Sequence, residues 1–420
     1  MPDPSAQVTP QPFPLDKADQ CVKCGLCLPH CPTYTYTQDE AESPRGRIAL
    51  MQGLASGQLA ATDKLQAHLD GCLSCRACES VCPAQVPYGE LIDAVRANLQ
   101  QARPKRNRSL RWLAFWLIGP KPRALLGLLL RATQASGLLT LAQTITAAVK
   151  PVARRMQFVP AMQKAPARSQ YPAPPAVTPR GQVQLFTGCV SELFDGRTLQ
   201  DAITCLHYLG FEVEVPAQQA CCGALHQHNG MAASAQTLFA SNLKAFGHSD
   251  TAILGTASGC TAMLAEYGLY ADTAQAKHFS QRVSDVSAFL LQHWPQELAI
   301  ADCNARALVQ DPCTLRNVLG TSPAVYGLLN KIPGLEVAAL DNNGHCCGAA
   351  GSMMFSHATQ ADALVGKKIK ALQENPPDYL ISSNIGCALH MQAALKRAGI
   401  KLEVLHPVSL LARQLRAASS

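Results

Sequence analysis

From residue 181 onward, short apolar runs alternate with longer stretches of helical periodicity. The runs QVQLFTG (182–188), FEVEVP (211–216) and TAILGTASG (251–259) form one set, and ARALVQD (305–311), LEVAAL (335–340) and DYLISSN (378–384) form a second. Alternation of this kind predicts parallel sheets flanked by helices. The first hundred residues read differently. Residues 45–70 carry apolar positions at helical spacing and predict connecting helices, and the rest of that stretch offers no strand pattern. Between these regions, two apolar runs at 112–118 and 124–130 are separated by Gly119-Pro120-Lys121-Pro122-Arg123. Neither run reaches the roughly 20 residues that span a bilayer, and the break keeps them from fusing.

The two sets of runs belong to a repeat. Cys189, Cys221-Cys222-Gly223 and Cys260 recur as Cys313, Cys346-Cys347-Gly348 and Cys387, at offsets of 124, 125 and 127 residues. Offsets this steady indicate a duplicated domain. Each cysteine falls just after a predicted strand, at the carboxyl end where α/β sheets place ligands. Two explanations of the repeat stay open at this point: a redox or metal site, or buried cysteine acting as a small hydrophobe beside a tight turn.

Composition sharpens the picture through cysteine. With 420 residues the chain is long enough for several domains, and 48% hydrophobic against 15% charged residues fits a folded globular protein. The first twenty residues lack a basic start followed by an apolar run, so the expected setting is intracellular and reducing, where 18 cysteines read as metal sites rather than disulfides.

The most specific pattern is Cys21-x2-Cys24-x2-Cys27-x3-Cys31-Pro32, repeated as Cys72-x2-Cys75-x2-Cys78-x3-Cys82-Pro83. Three closely spaced thiolates wrap one corner of a cubane while the fourth crosses to the other cluster. The expected sets are therefore Cys21, Cys24, Cys27 and Cys82 for one [4Fe-4S] cluster, and Cys72, Cys75, Cys78 and Cys31 for a second. The fourth cysteine of each motif is placed on the helix that follows, with Pro32 and Pro83 ending the cysteine turns. Structural zinc on the CxxC pairs is the competing reading, but it explains neither the fourth cysteine nor the proline.

Two ferredoxin-type motifs followed by two CCG domains resemble the iron-sulfur subunits of glycolate oxidase, of anaerobic glycerol-3-phosphate dehydrogenase, of lactate-utilisation complexes and of heterodisulfide reductase. ESPRGRIAL (42–50), HLDGCLSCRACESVCP (68–83), TASGC (256–260), CCGAAG (346–351) and NIGCALH (384–390) are most similar to the glycolate oxidase subunit. In the heterodisulfide reductase branch each complete CCG motif ends in CxxC. This chain has Ala257 and Asn384 where the first cysteine of that pair would stand. Cys189, Cys221, Cys222, Cys260, Cys313, Cys346, Cys347 and Cys387 are thus candidates for a further redox or iron-sulfur site, four thiols per copy. The chain carries no G-x-G-x-x-G after a strand and no P-loop, so the resemblance implies that FAD and hydroxyacid oxidation belong to partner subunits, with quinone as the acceptor. A D-lactate or glycerol-3-phosphate donor, or a thiol-disulfide enzyme, are the alternatives.

Charge is segregated. No acidic residue lies between Asp93 and Glu192, and that stretch holds 15 of the 36 Lys and Arg, leaving 21 basic against 29 acidic residues elsewhere. With its Trp and Leu content, 103–131 is expected to lie on an anionic membrane surface at the inner, cytoplasmic face, or else to dock an acidic partner; no recognised nucleic-acid fold accompanies it. The expected organisation is multidomain. A helical dicluster ferredoxin-like domain spans 1–102, a basic apolar helical segment and Pro-rich linker 103–180, and duplicated α/β CCG domains 181–302 and 303–420.

Overall fold

The computed structural model describes residues 13–102, 108–138, 160–175 and 177–419. The start of the chain, with its expected lack of a secretory signal, and parts of the 103–180 segment lie outside the described residues.

The cysteine-rich region is helical throughout. It comprises α1 (Leu15–Asp19), α2 (Pro32–Thr37), α3 (Pro44–Ala55), α4 (Asp63–Asp70) and α5 (Tyr88–Ala102). Local chemistry sets the starts: Ser43 Oγ accepts from the Gly46 N–H ahead of α3, and Thr62 Oγ1 accepts from the Leu65 N–H ahead of α4. Apolar residues three and four apart then face inward. Ile48 and Met51 of α3, Leu65 and Leu69 of α4, and Leu91, Ile92, Val95 and Leu99 of α5 make one small core.

Helices α6 (Arg108–Ile118) and α7 (Pro120–Ala135) meet at 86°. The break is tighter than the five-residue interruption expected: Gly119 alone is the hinge, because Pro120 is tolerated in the first turn of α7. The inner side of this pair packs on the first repeat. Ala114 and Ile118 join the core that holds Phe186 and Phe239, and Gly127 lets α7 approach Leu193, whose Cδ2 would stand 3.3 Å from an added Cβ.

Beyond residue 169 the chain forms two sheets. The first contains β1 (Gln170–Tyr171), β2 (Gly181–Phe186), β3 (Phe211–Glu214), β4 (Ala252–Gly255) and β5 (Val283–Asp285), in the order β1-β3-β2-β4-β5. The second contains β6 (Ala305–Gln310), β7 (Leu335–Ala339), β8 (Tyr379–Ser382) and β9 (Glu403–Leu405), in the order β7-β6-β8-β9. All neighbours are parallel except β1, which runs antiparallel along the edge of β3. Without β1 the two orders are identical, so the repeat seen in the cysteines is a repeat of topology. The six predicted runs are the six strands of four or more residues; β1, β5 and β9, at two or three residues each, are too short to show a period.

Helices join the two copies into one body. The helix at 196–208, which follows the first strand of copy one, packs on the last helix of copy two at 407–418, and the equivalent helix at 322–329 packs on the last helix of copy one at 286–292. The pairing is reciprocal, as a two-fold interface requires. Leu199, Leu206, Leu411 and Leu415 meet in one apolar core with Leu290, Val325 and Leu328.

Candidate metal centres

Both ferredoxin-type motifs adopt the same unusual backbone. Lys23 (φ 56°) and Gly25 (φ 86°) in the first match Ser74 (φ 49°) and Arg76 (φ 56°) in the second. A left-handed non-glycine residue costs on the order of 1 kcal/mol, and such strain persists where the surroundings impose it. Here it curls each loop around a concavity. In the first motif Cys21, Cys24 and Cys27 line one cavity, and Cys82, 55 positions beyond Cys27, lines it too. Leu26, Ile48, Val86 and Tyr88 supply its apolar walls.

Burial pushes the thiols of Cys75 and Cys78 well up, and each is raised further by the nearby charges of Cys72 and Cys31. Cys31 acts on Cys27 of the first motif as well, so it stands between the two. Its position corrects one expectation: Cys31 is the N-cap of α2 and Cys82 lies in a turn before α5, so neither sits within a helix, because the proline after Cys31 opens a new helix. Donors reach these sulfurs. Ser74 N–H lies 3.4 Å and Tyr88 Oη 3.6 Å from Cys72 Sγ, and Thr33 Oγ1 lies 3.1 Å from Cys31 Sγ.

Arg47 connects the two motifs from below. Its guanidinium is 1% exposed and donates to His68 O (2.7 Å), Thr33 Oγ1 (2.9 Å), Glu42 O (2.6 Å) and the Glu42 carboxylate. Glu42 is held in turn by His68 Nδ1 at 2.7 Å. Burial opposes the charge on Arg47, but Tyr88, Cys72, Glu42 and Cys31 outweigh it and hold the guanidinium firmly protonated.

The donor set suits iron-sulfur clusters. Burial lifts Cys27 to about 11, so a thiolate in this cavity needs a cationic centre beside it, and iron is one. A cubane spreads its four thiols over a larger body than a single zinc ion with Zn–S bonds of about 2.3 Å would.

In the duplicated half, every motif cysteine stands at the carboxyl end of a strand. Cys189 and Cys313 follow β2 and β6, the CCG pairs follow β3 and β7, and Cys260 and Cys387 follow β4 and β8. Topology thus gathers four thiols in each copy. Sulfur separations are 3.5 Å for Cys189–Cys221, 3.8 Å for Cys313–Cys346 and 3.1 Å for Cys347–Cys387, while Cys222 reaches both Cys221 and Cys260. Gly223 and Gly348 both have φ 87°, and a Cβ at Gly223 would stand 2.6 Å from the Phe239 ring, so glycine after Cys-Cys is required in both backbone and space. The other two cysteines, Cys205 and Cys303, are part of the shared apolar core and are explained by packing.

Of the histidines beside the CCG motifs, His228 is committed elsewhere: its Nδ1 lies 3.0 Å from Asp93 of α5, whose carboxylate also accepts from Tyr270. Among the described residues, His226 and His345 each keep one buried ring nitrogen without a hydrogen-bond partner.

Comparison with known proteins bears on the same regions. The 4Fe-4S dicluster domain matches residues 17–86, and the cysteine-rich domain matches 183–265 and again 307–392. The probable glycolate oxidase iron-sulfur subunit of Bacillus subtilis is 31% identical over 415 residues, covering 93% of this chain and 92% of the relative. The glycolate oxidase iron-sulfur subunit of Escherichia coli is 32% identical over 391 residues, with 89% of both chains covered. The chain belongs to the glycolate oxidase iron-sulfur subunit family. Lactate utilization protein A of a Geobacillus species is also similar, at 28% identity over 98% of its length, but it spans only 55% of this chain. A member of this family is an iron-sulfur component of an oxidoreductase complex, which accords with cysteine cavities in a chain without a nucleotide-binding fingerprint.

Proposed function

We propose that the chain carries electrons singly from flavin-containing glycolate oxidase subunits through two [4Fe-4S] clusters toward a quinone. The observation that carries this reading is the cavity in which Cys82 of the second motif joins Cys21, Cys24 and Cys27 of the first, which leaves Cys31 to join Cys72, Cys75 and Cys78. Those two sets are the proposed ligands. The clusters, when bound, supply one-electron storage; the protein's own residues fix their spacing, exclude water and donate hydrogen bonds to sulfur. Cys78 borders the first cavity as well as belonging to the second set, so the two stations are neighbours.

The hairpin of α6 and α7 supports peripheral contact with a membrane at its cytoplasmic face. Its outer side exposes Trp112, Phe115, Leu125, Leu128 and Leu129, among exposed Arg111, Lys121 and Arg131. No described helix is long and apolar enough by itself to cross a membrane. Apolar side chains among cations match an anionic lipid interface.

Iron and acid-labile sulfide per chain after anaerobic purification, with EPR of the reduced protein, test the electron-transfer reading. At least about eight irons with two coupled cubane signals are expected, and fewer than about four would overturn it. Reduction of these signals by glycolate, but not by D-lactate or glycerol-3-phosphate, in the complex with its flavin subunits identifies the donor. Sedimentation with anionic vesicles, lost on Trp112→Ser with Phe115→Ser, tests the membrane contact.

A further inference from the structure

The two ferredoxin-type motifs align at an offset of 51 residues, so each position of one loop has a counterpart in the other. Val22, Cys24 and Leu26 of the first correspond to Leu73, Cys75 and Ala77 of the second. Backbone conformation matches, but the surroundings are opposite. Leu73 and Ala77 are each 6% exposed, whereas Val22 is 71% and Leu26 56% exposed. Cys24 is exposed as well, and Cys75 is half-buried.

What covers the second loop is protein. Leu73 packs with Cys346, Met353 and Leu364 of copy two, and Cys75 and Cys313 join that contact. Asn317 Nδ2 of copy two donates to Cys75 O at 2.7 Å, and Arg76 of the loop pairs with Glu266 of copy one. One chain thus holds the same loop in a protein-covered form and in a bare form. In the bare form Val22 and Leu26 flank an exposed thiol, and the exposed Lys23 and His30 lie in the same loop. Singly exposed apolar side chains are ordinary. Two that flank an exposed sulfur, at positions whose counterparts are sealed by protein, call for a cover. An apolar centre with a polar rim is the anatomy of a protein interface.

We infer that this face of the first motif, centred on Val22, Cys24 and Leu26, is where a flavin-bearing protein subunit docks, so that electrons enter the chain at the first cluster and leave from the second. The inference rests on the electron-transfer reading above and deepens it by giving it a direction and a contact surface. The occupant is the donor because the other end faces inward. The second motif is sealed against both copies, and the hairpin of α6 and α7, whose outer side fits a lipid surface, is seated on copy one. A quinone dissolved in a membrane is met from that side, which leaves the first motif to a protein partner. Electron-transfer contacts are among the smallest specific interfaces, so a face of this size is sufficient. Each passage moves one electron from the reduced flavin to the first cluster. Two passages return the flavin to its oxidised form, and its protons go to water.

The test uses the complex of the full chain with its flavin-containing subunits, purified anaerobically. Lysine acylation read by mass spectrometry comes first and needs no variant. Lys23 is expected to be labelled in the free chain and to lose that labelling in the complex, while Lys370 of copy two, whose side chain is 74% exposed, is labelled in both. Val22→Asp comes second: about tenfold more flavin subunit should be needed for half-maximal reduction by glycolate, the size expected when an interface anchor is lost, while dithionite still develops both cubane signals. Should Val22→Asp lose its iron, the labelling of Lys23 decides alone. Equal labelling of Lys23 in the free chain and the complex would overturn the inference, as would an unchanged requirement for flavin subunit in an iron-replete Val22→Asp. Protection of the exposed Lys121 of α7 in place of Lys23 would move the donor to the hairpin, and protection of Lys23 in the concentrated free chain, lost on dilution, would give the face to a second copy; either result overturns it. Failure of the underlying reading looks different, because glycolate would then leave the clusters of the unmutated complex oxidised whatever happens at Lys23.

Discussion

In the ferredoxin-type region the cysteines hold the fold, whereas in the duplicated half the fold holds the cysteines. The helices α1 to α5 close over eleven buried apolar residues, and eight cysteines sit in loops around them. The duplicated half has thirty buried residues in its shared core alone, with further cores on the outer sides of both sheets. A region of about ninety residues with so small a core is expected to depend on the proposed clusters as staples, because a core of this size barely offsets chain entropy. The difference teaches that metal loss and core damage act on opposite ends of the chain.

The largest effect expected from this contrast follows iron removal. Chelation under reducing conditions should abolish hydrogen-exchange protection at Leu91, Ile92 and Val95 in α5, while the amides of β2, β4, β6 and β8 keep theirs. Equal loss in both regions would break the comparison. Next is Arg47→Met, which leaves the Glu42 carboxylate without its buried partner and should cost about 3–5 kcal/mol in the ferredoxin-type region. Since Arg47 reaches Cys31 through Thr33, the cubane EPR signal assigned to the Cys31 set should disappear before the other.

A core cavity probes the other half. Leu411 is fully buried between the copies, and Leu411→Ala should cost about 2–5 kcal/mol. Because the two copies share that core, their urea transitions, followed by exchange in β4 and β8, should move together. Separate transitions would mean that the copies fold independently.

Legibility divides along the same line. The ferredoxin-type motifs are built from local spacing, so their cysteines could be read from the chain, along with the six long strands and the cysteine positions after them. Contacts made by single residues across long separations could not. Asp93 pairs with His228, and Arg76 with Glu266, through packing that no period announces. Lys368 of the helix at 358–374 left a trace: it interrupts the buried stripe Ala361, Leu364, Val365, Ile369 and Leu372 at a position where that helix faces inward. A lysine in an apolar stripe is a signal for a buried charge. The five-residue interruption expected at Gly119 is too long, because a proline at the start of a helix continues it rather than breaking it.

The smallest effect is expected at the joint between the two regions, and pH reports it. Burial alone would lower the pKa of His228, but the Asp93 charge and hydrogen bond outweigh it and hold His228 above its ordinary value of 6.5. Burial likewise pushes Asp93 up, and His228, Arg96 and Tyr270 outweigh it, leaving the carboxyl below its ordinary 3.8. Glu266 adds a nearby negative charge that favours His228 protonation, and Arg96 opposes it. A raised histidine contributes stability that is fully present below about 6.5 and is lost as pH climbs through the folded value. The depressed carboxylate contributes above 3.8 and loses its share only as pH falls through its lowered value. The pair therefore stabilises the joint most in mildly acid solution. Because the His228 side chain is 35% exposed, solvent screens the pair, and His228→Gln should cost on the order of 1 kcal/mol at about pH 5.5 and almost nothing at about pH 9. Urea midpoints of wild type and variant at both values measure the gap. A gap of the same size at both would show that His228 holds the joint by packing rather than by charge.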